Sequence, residues 1–179
     1  MRFRKTRRGI AADLDEVEAA VLRRFVTDVA ALLEQDDQPA DADPLAGLVG
    51  LPASDTPRPV DPALARLLPD AYRDDPEAST QFRRYTDADL RAGKRAHAAA
   101  VLATLPDGPG RVLLDRDGAD AWLGTLNDLR LVLGTRLGVT EELDLDRLDE
   151  DDPRTQALHV YDWLGALQES LLRCLDPRR

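Results

Sequence analysis

Apolar and polar positions alternate over the first fourteen residues and recur at helical spacing through most of the remainder. The stretch "MRFRKTRRGIAADL" alternates and turns near Gly9, which predicts a β-hairpin with strands near residues 2–5 and 10–13. Asp15 follows as an N-cap, and Glu18, three residues on, completes a capping box. The helix it opens is expected to reach about Glu34, with Val21, Leu22, Phe25, Val29, Leu32 and Leu33 on one face. Asp, Pro and Ala then dominate residues 35–62, a surface connection with room for one helical turn at 44–49. Its "PLAGLVGLP" reads either as plain loop or as an apolar patch for a partner.

Punctuation residues divide the rest. Asp61 caps a helix with Pro62 at its first position, and Pro69 ends it. A short helix is expected after Pro76, then a longer one capped by Thr86, with Asp89 in the box position, reaching Leu105. "PDGPG" at 106–110 is a break. "RVLL", Arg111 to Leu114, is short, apolar and bounded by Gly and Asp, which makes it a candidate third strand for the hairpin. A helix to Leu137, an acidic loop over 140–152 and a last helix over 155–175 complete the chain. The expected fold class is mainly α, a helical bundle with a small N-terminal β-hairpin, in one domain over residues 1–179.

Composition supports the helical reading. Of 179 residues, 43% are hydrophobic but only 4% aromatic, so the core must come from Leu, Val and Ala. A net charge of −10 opposes unassisted binding to nucleic acid or anionic membranes. Cys174 is the one cysteine, so no internal disulfide can form, which suits a reducing cytosol. The basic start lacks a following apolar region, which argues against a signal peptide, and no apolar run is long enough to span a membrane. The expected location is cytoplasmic.

The densest leucine stretch, "LNDLRLVLGTRL" at 126–137, carries polar residues that need an explanation. On a helical wheel Trp122, Leu126, Leu129, Leu133 and Leu137 form the core stripe. Asp128 and Thr135 fall opposite and are expected in solvent. Arg130 lies at the stripe's edge, with Asn127, Leu131 and Gly134 just beyond, and Gly134 would admit a close neighbour. On the last helix Gln168 sits among Tyr161, Leu164, Leu171 and Leu175, with Asp162 and Glu169 on the charged side. A buried polar group must be paired or it costs about 1–3 kcal/mol. Asn127, Arg130 and Gln168 are therefore expected to share one internal network, with Asp70, Asp75, Asp162 or Glu169 neutralising the arginine. Such a network either fixes helix register without chemistry or forms a small anion pocket centred on Arg130.

Signatures of catalysis are missing. His97 and His159 have no second metal ligand at zinc-like spacing, and His97 falls with Leu90 and Val101 on the apolar side of its helix. There is no phosphate-binding glycine loop, no serine nucleophile elbow and no calcium-loop spacing in "DLDRLDEDDP". No catalytic, cofactor or metal residue is assigned. Arg2, Arg4, Lys5, Arg7 and Arg8 concentrate positive charge on the hairpin. They can contact phosphates, dock on an acidic partner, or protect an edge strand from aggregation.

Three stretches, "RLLPDAYRDDPEASTQFRRYTDADLRAGK" (66–94), "LNDLRLVLGTRLG" (126–138) and "YDWLGALQESLL" (161–172), together with the opening "FRKTRRG", resemble an actinobacterial family catalogued as a domain of unknown function. The resemblance covers nearly the whole chain. Members are commonly encoded beside ClpS, the adaptor of the Clp protease, and some are labelled transcriptional regulators. The resemblance thus implies a cytosolic protein with a link to proteolysis, and it supplies no catalytic residues. The leading expectation is a non-enzymatic interaction or regulatory protein that contacts a partner through the hairpin or residues 66–91. The alternatives are a DNA-binding regulator using the hairpin and a small-molecule or anion binder, or an enzyme, centred on Arg130. A homodimer is compatible with the leucine-rich last helix.

Overall fold

The computed structural model describes residues 1–34, 57–140 and 154–176. Among these the order is β1 (Arg4–Thr6), β2 (Gly9–Leu14), α1 (Glu16–Glu34), α2 (Pro62–Leu67), α3 (Pro76–Thr104), β3 (Gly110–Leu114), α4 (Arg116–Leu137) and α5 (Thr155–Leu175). The protein is mainly helical, with one antiparallel sheet ordered β1-β2-β3. The third strand expected from Arg111 is present and begins one residue earlier. The turn expected at 44–49, the "PLAGLVGLP" stretch and most of the acidic loop lie outside the described residues.

The hairpin has the register that strands over 2–5 and 10–13 imply, with Lys5 opposite Ile10. Thr6 pairs with Gly9, so Arg7 and Arg8 form the tip and Gly9 opens β2. Gly9 has φ of 132°, and a Cβ there would lie 2.3 Å from the Leu114 carbonyl oxygen of β3. Only glycine fits where the strands meet that closely. The Thr6 hydroxyl donates to the Gly9 carbonyl at 2.8 Å and accepts the Arg8 N–H at 3.2 Å, which fixes the tip.

Each capping signal except one acts as the local chemistry dictates. Asp15 and Glu18 form the reciprocal box, with Glu18 N–H donating to Asp15 at 2.8 Å and Asp15 N–H to Glu18 at 3.0 Å. Asp61 accepts from the N–H groups of Ala63 and Leu64. Asp115 accepts from Gly118 N–H at the start of α4. The exception is Thr86. The two helices expected over 76–105 are a single one of 29 residues, capped by Asp75. Thr86 lies inside it and donates its hydroxyl to the Phe82 carbonyl at 3.0 Å, so its polar group is satisfied without a helix end.

Helix α4 is the centre of the packing. It contacts α1, α2, α3 and α5. Trp122, Leu126, Leu129 and Leu133 are buried as the wheel requires. Trp122 meets Phe3 edge-on at 5.5 Å and donates its indole N–H to the Thr104 hydroxyl at 2.8 Å. Phe3 N–H in turn donates to the Ser170 hydroxyl at 3.1 Å. The residue before β1 is thus tied to both α4 and α5.

Candidate functional site

The polar residues of α4 lie on contacts with two different helices. Arg130 faces α5. Its Nη1 donates to the Gln168 carboxamide oxygen at 2.7 Å and its Nη2 lies 3.4 Å from the Tyr161 hydroxyl. The guanidinium also sits 5.1 Å from the Tyr161 ring centroid, within cation–π range. Gly134 admits this approach, and Gly165 lies at ordinary contact distance from it. A Cβ on Gly134 would lie 3.1 Å from the Tyr161 ring, and one on Gly165 would lie 3.5 Å from Arg130 Nε. The expected Arg130–Gln168 link is therefore present, with Tyr161 as the third member in place of Asn127.

Asn127 is exposed and turns to its neighbour Asp128, not to Arg130. None of the four expected carboxylates neutralises Arg130. Asp70 pairs with Arg83 and Arg58, Asp75 caps α3, Asp162 is exposed, and Glu169 pairs with Arg173. The i,i+4 geometry of Glu169 and Arg173 satisfies that glutamate within its own helix.

Asp128 overturns the solvent expectation. It is only 4% exposed and accepts from Lys94 Nζ of α3 at 2.6 Å. Burial pushes its carboxyl pKa up, against the opposing pull of Lys94. A wheel with one buried stripe assigns Asp128 to water, but α3 packs against that side of α4, and the exposed stripe runs instead through Arg116, Asp120 and Asn127. His97 departs in the opposite sense. It is exposed, and its Nδ1 is 2.8 Å from where a Cβ on Gly124 would stand.

A second charged array runs along α3. Arg83, Asp87 and Arg91 are spaced by four residues and share one face. Arg91, 3% exposed, holds Asp87 at 2.5 Å and donates to the Leu33 carbonyl at 3.0 Å. Arg83 pairs with Asp70 and donates to the Leu68 carbonyl at 3.1 Å. Two arginines of α3 thus serve the C-terminal carbonyls of α1 and α2, where a positive charge also suits the helix dipoles.

Above this array lies an apolar face. Tyr72 and Phe82 meet edge-on at 6.1 Å. Phe82 is 46% exposed and Tyr85 66% exposed, and Leu90 is also on the surface. Leu68, Pro69, Phe82 and Leu90 border a cleft of about 270 Å³ floored by Ser79, Arg83 and Asp87.

The basic hairpin is partly self-neutralised. Arg4 of β1 and Arg111 of β3 both bind Asp13 at 2.6 Å, from the strands on either side of β2. Lys5 donates to the Asp176 carbonyl at 3.0 Å. Arg2, Arg7 and Arg8 make no side-chain bond among the described residues. The hydrogen bonds from Arg111 and Arg4 lower the Asp13 pKa to about 2. Because that folded value lies below the ordinary 3.8, the pairing contributes above pH 3.8 and is lost as pH falls towards 2. An NMR titration should place the Asp13 midpoint near 2, and Arg111→Ala should move it upward. A midpoint unchanged in the variant would refute the pairing.

Among the described residues no group of three His, Cys, Asp or Glu side chains can hold a metal ion, and no helix is long and apolar enough to cross a membrane. Cys174 is buried.

Comparisons place this chain in a family. The oxidative stress regulator AosR of Mycobacterium tuberculosis is 35% identical over 175 residues, covering 90% of this chain and 80% of that protein. The AosR protein of Mycobacterium bovis matches to the same extent. No solved structure matches. The domain of unknown function DUF2017 matches residues 1–175, so the chain belongs to the DUF2017 family.

Proposed function

We propose that the chain is a non-enzymatic, cytoplasmic regulatory protein that works by docking on another protein through the Tyr72–Phe82–Leu90 face. The observation that carries this reading is the exposure of an aromatic pair beside an apolar cleft, on a chain with few aromatic residues to spend. Aromatic side chains at the surface are typical anchors of protein interfaces. The cleft has a rigid floor, because Arg83 and Asp87 are held by ion pairs. The names of the mycobacterial relatives support a regulatory role. Those relatives are named for oxidative stress, and in these 179 residues Cys174 has no second cysteine to join. Any thiol response here would have to run without an internal disulfide. The link to Clp-type proteolysis rests on the sequence resemblance alone.

The test is capture from the source cytosol after nuclease treatment at moderate salt, with parent protein and a Tyr72→Ser/Phe82→Ser variant. Parent protein should retain a defined partner and the variant should lose it, with circular dichroism unchanged. Capture of the same proteins by both refutes the assignment. A Clp adaptor among them would extend the reading to proteolysis, and self-capture would extend it to a homodimer.

The unpartnered Arg2, Arg7 and Arg8 favour a second reading, in which the hairpin contacts nucleic acid. The net charge of −10 opposes it. It requires captured material that disappears with nuclease and with salt.

A further inference from the structure

We propose that Arg130, Tyr161 and Gln168 form a binding site for a small carboxylate. The argument is an inventory of donors and acceptors. Arginine has five N–H donors and no acceptor, so Gln168 must turn its carboxamide oxygen towards Arg130 and its NH2 away. The Tyr161 hydroxyl oxygen faces Arg130 Nη2, which leaves its own hydrogen free to donate. The Gln168 NH2 and the Tyr161 O–H have no acceptor among the described residues, and each Nη keeps one further N–H. Arg130 Nε is buried with no acceptor either. Both acceptor atoms of the cluster already face Arg130, and the hydrogens left over are all donors.

Charge points the same way. Arg130 is half-buried, and no carboxylate among the described residues pairs with it. The buried cations Arg83, Arg91 and Lys94 have the acidic partners Asp70, Asp87 and Asp128, whereas Arg130 and Arg84 have none among the described residues, and of these two only Arg130 has a carboxamide beside it. One uncompensated guanidinium beside a phenol and a carboxamide complements an acceptor-only group of single negative charge. A carboxylate has that charge, and its planar pair of oxygens matches the guanidinium edge. Nε is buried, whereas each Nη keeps a further N–H, so the ligand approaches the Nη edge. The site lies at the α4–α5 contact, so the proposal is independent of the docking face on α3.

Thermal unfolding in sodium acetate against sodium chloride, at matched pH and ionic strength, tests the site. Acetate at several times its Kd should raise the Tm of the parent by about 2 °C over chloride. Arg130→Met should abolish the difference. Should that variant fail to fold, Tyr161→Phe/Gln168→Leu keeps the guanidinium, removes two donors and should reduce the difference. A 15N-detected titration should also move the Arg130 Nε resonance of the parent. Equal Tm values in the two salts would overturn the proposal. So would a difference that persists in the variants, since that would be a general salt effect. A larger rise with inorganic phosphate than with acetate would overturn the carboxylate assignment.

Discussion

Lys94→Met should destabilise the protein by about 3 kcal/mol at pH 7, more than removal of any exposed ion pair on the surface. Lys94 and Asp128 bridge α3 and α4 with side chains 18% and 6% exposed. Breaking such a pair costs more than the pair contributes, because the remaining charge stays in a poorly solvated place. The carboxylate cannot leave, since its side chain is short and its helix is the centre of the packing. The lysine can partly reach water through its long stem, so Asp128→Ala should cost less than Lys94→Met. Replacing both, as Lys94→Met/Asp128→Leu, should recover most of the loss, because neither charge is then stranded. Urea unfolding of the three variants checks the order. A double variant no more stable than Lys94→Met alone would sink the account.

The same pair has a pH signature. Burial raises the Asp128 pKa above 3.8, so its ionisation works against folding. The stability associated with the protonated acid is fully present below pH 3.8 and is lost as pH rises through the folded value. Removing Lys94 deletes the one cation that opposes this shift at hydrogen-bonding distance. The penalty of Lys94→Met should therefore shrink as pH is lowered from 7 towards 4, while that of an apolar core substitution should not.

What the sequence made legible follows the range of each interaction. The capping box at Asp15 and Glu18, the cap at Asp61 and the strand after the "PDGPG" break act within a few residues of chain, and all are where local chemistry puts them. The Arg130–Gln168 contact was also readable, because both residues interrupt an apolar stripe and each needs a partner. The helical wheel marks Tyr161 only as an apolar residue, although its hydroxyl completes the cluster. Lys94 and Asp128 were not legible, since they are 34 residues apart and a single-stripe wheel places the acid in water. Thr86 misled for a different reason. Its hydroxyl has two ways to be satisfied, at a cap or on the carbonyl four residues back, and the surrounding sequence lacks a breaker to force the first. Arg83, Asp87 and Arg91 did leave a signal, the repeat of opposite charges at four-residue steps in "RRYTDADLR". That spacing announces an ion-pair ladder on one helix, and it does not announce that the ladder is buried.

The buried end of that ladder gives the other large expected effect. Arg91→Met should cost about 3–5 kcal/mol, since it strands Asp87 and removes the donor that satisfies the Leu33 carbonyl. Asp87 would keep only Arg83 at 3.9 Å, too far for a hydrogen bond. Helix α1 has no basic residue in its own last turn, so Arg91 supplies from α3 the positive end that the helix lacks. Arg91→Lys should recover part of the loss, because an ammonium keeps the charge but cannot hold a carboxylate and a carbonyl with one planar fork. The location of the damage separates this account from a general loss of packing. Amide hydrogen exchange should accelerate first in the last turn of α1 and in α3 around Asp87, while the amides of α4 around Trp122 keep their protection until global unfolding. Uniform acceleration across α1, α3 and α4 would mean that Arg91 acts as packing volume and not as the cap of its neighbour.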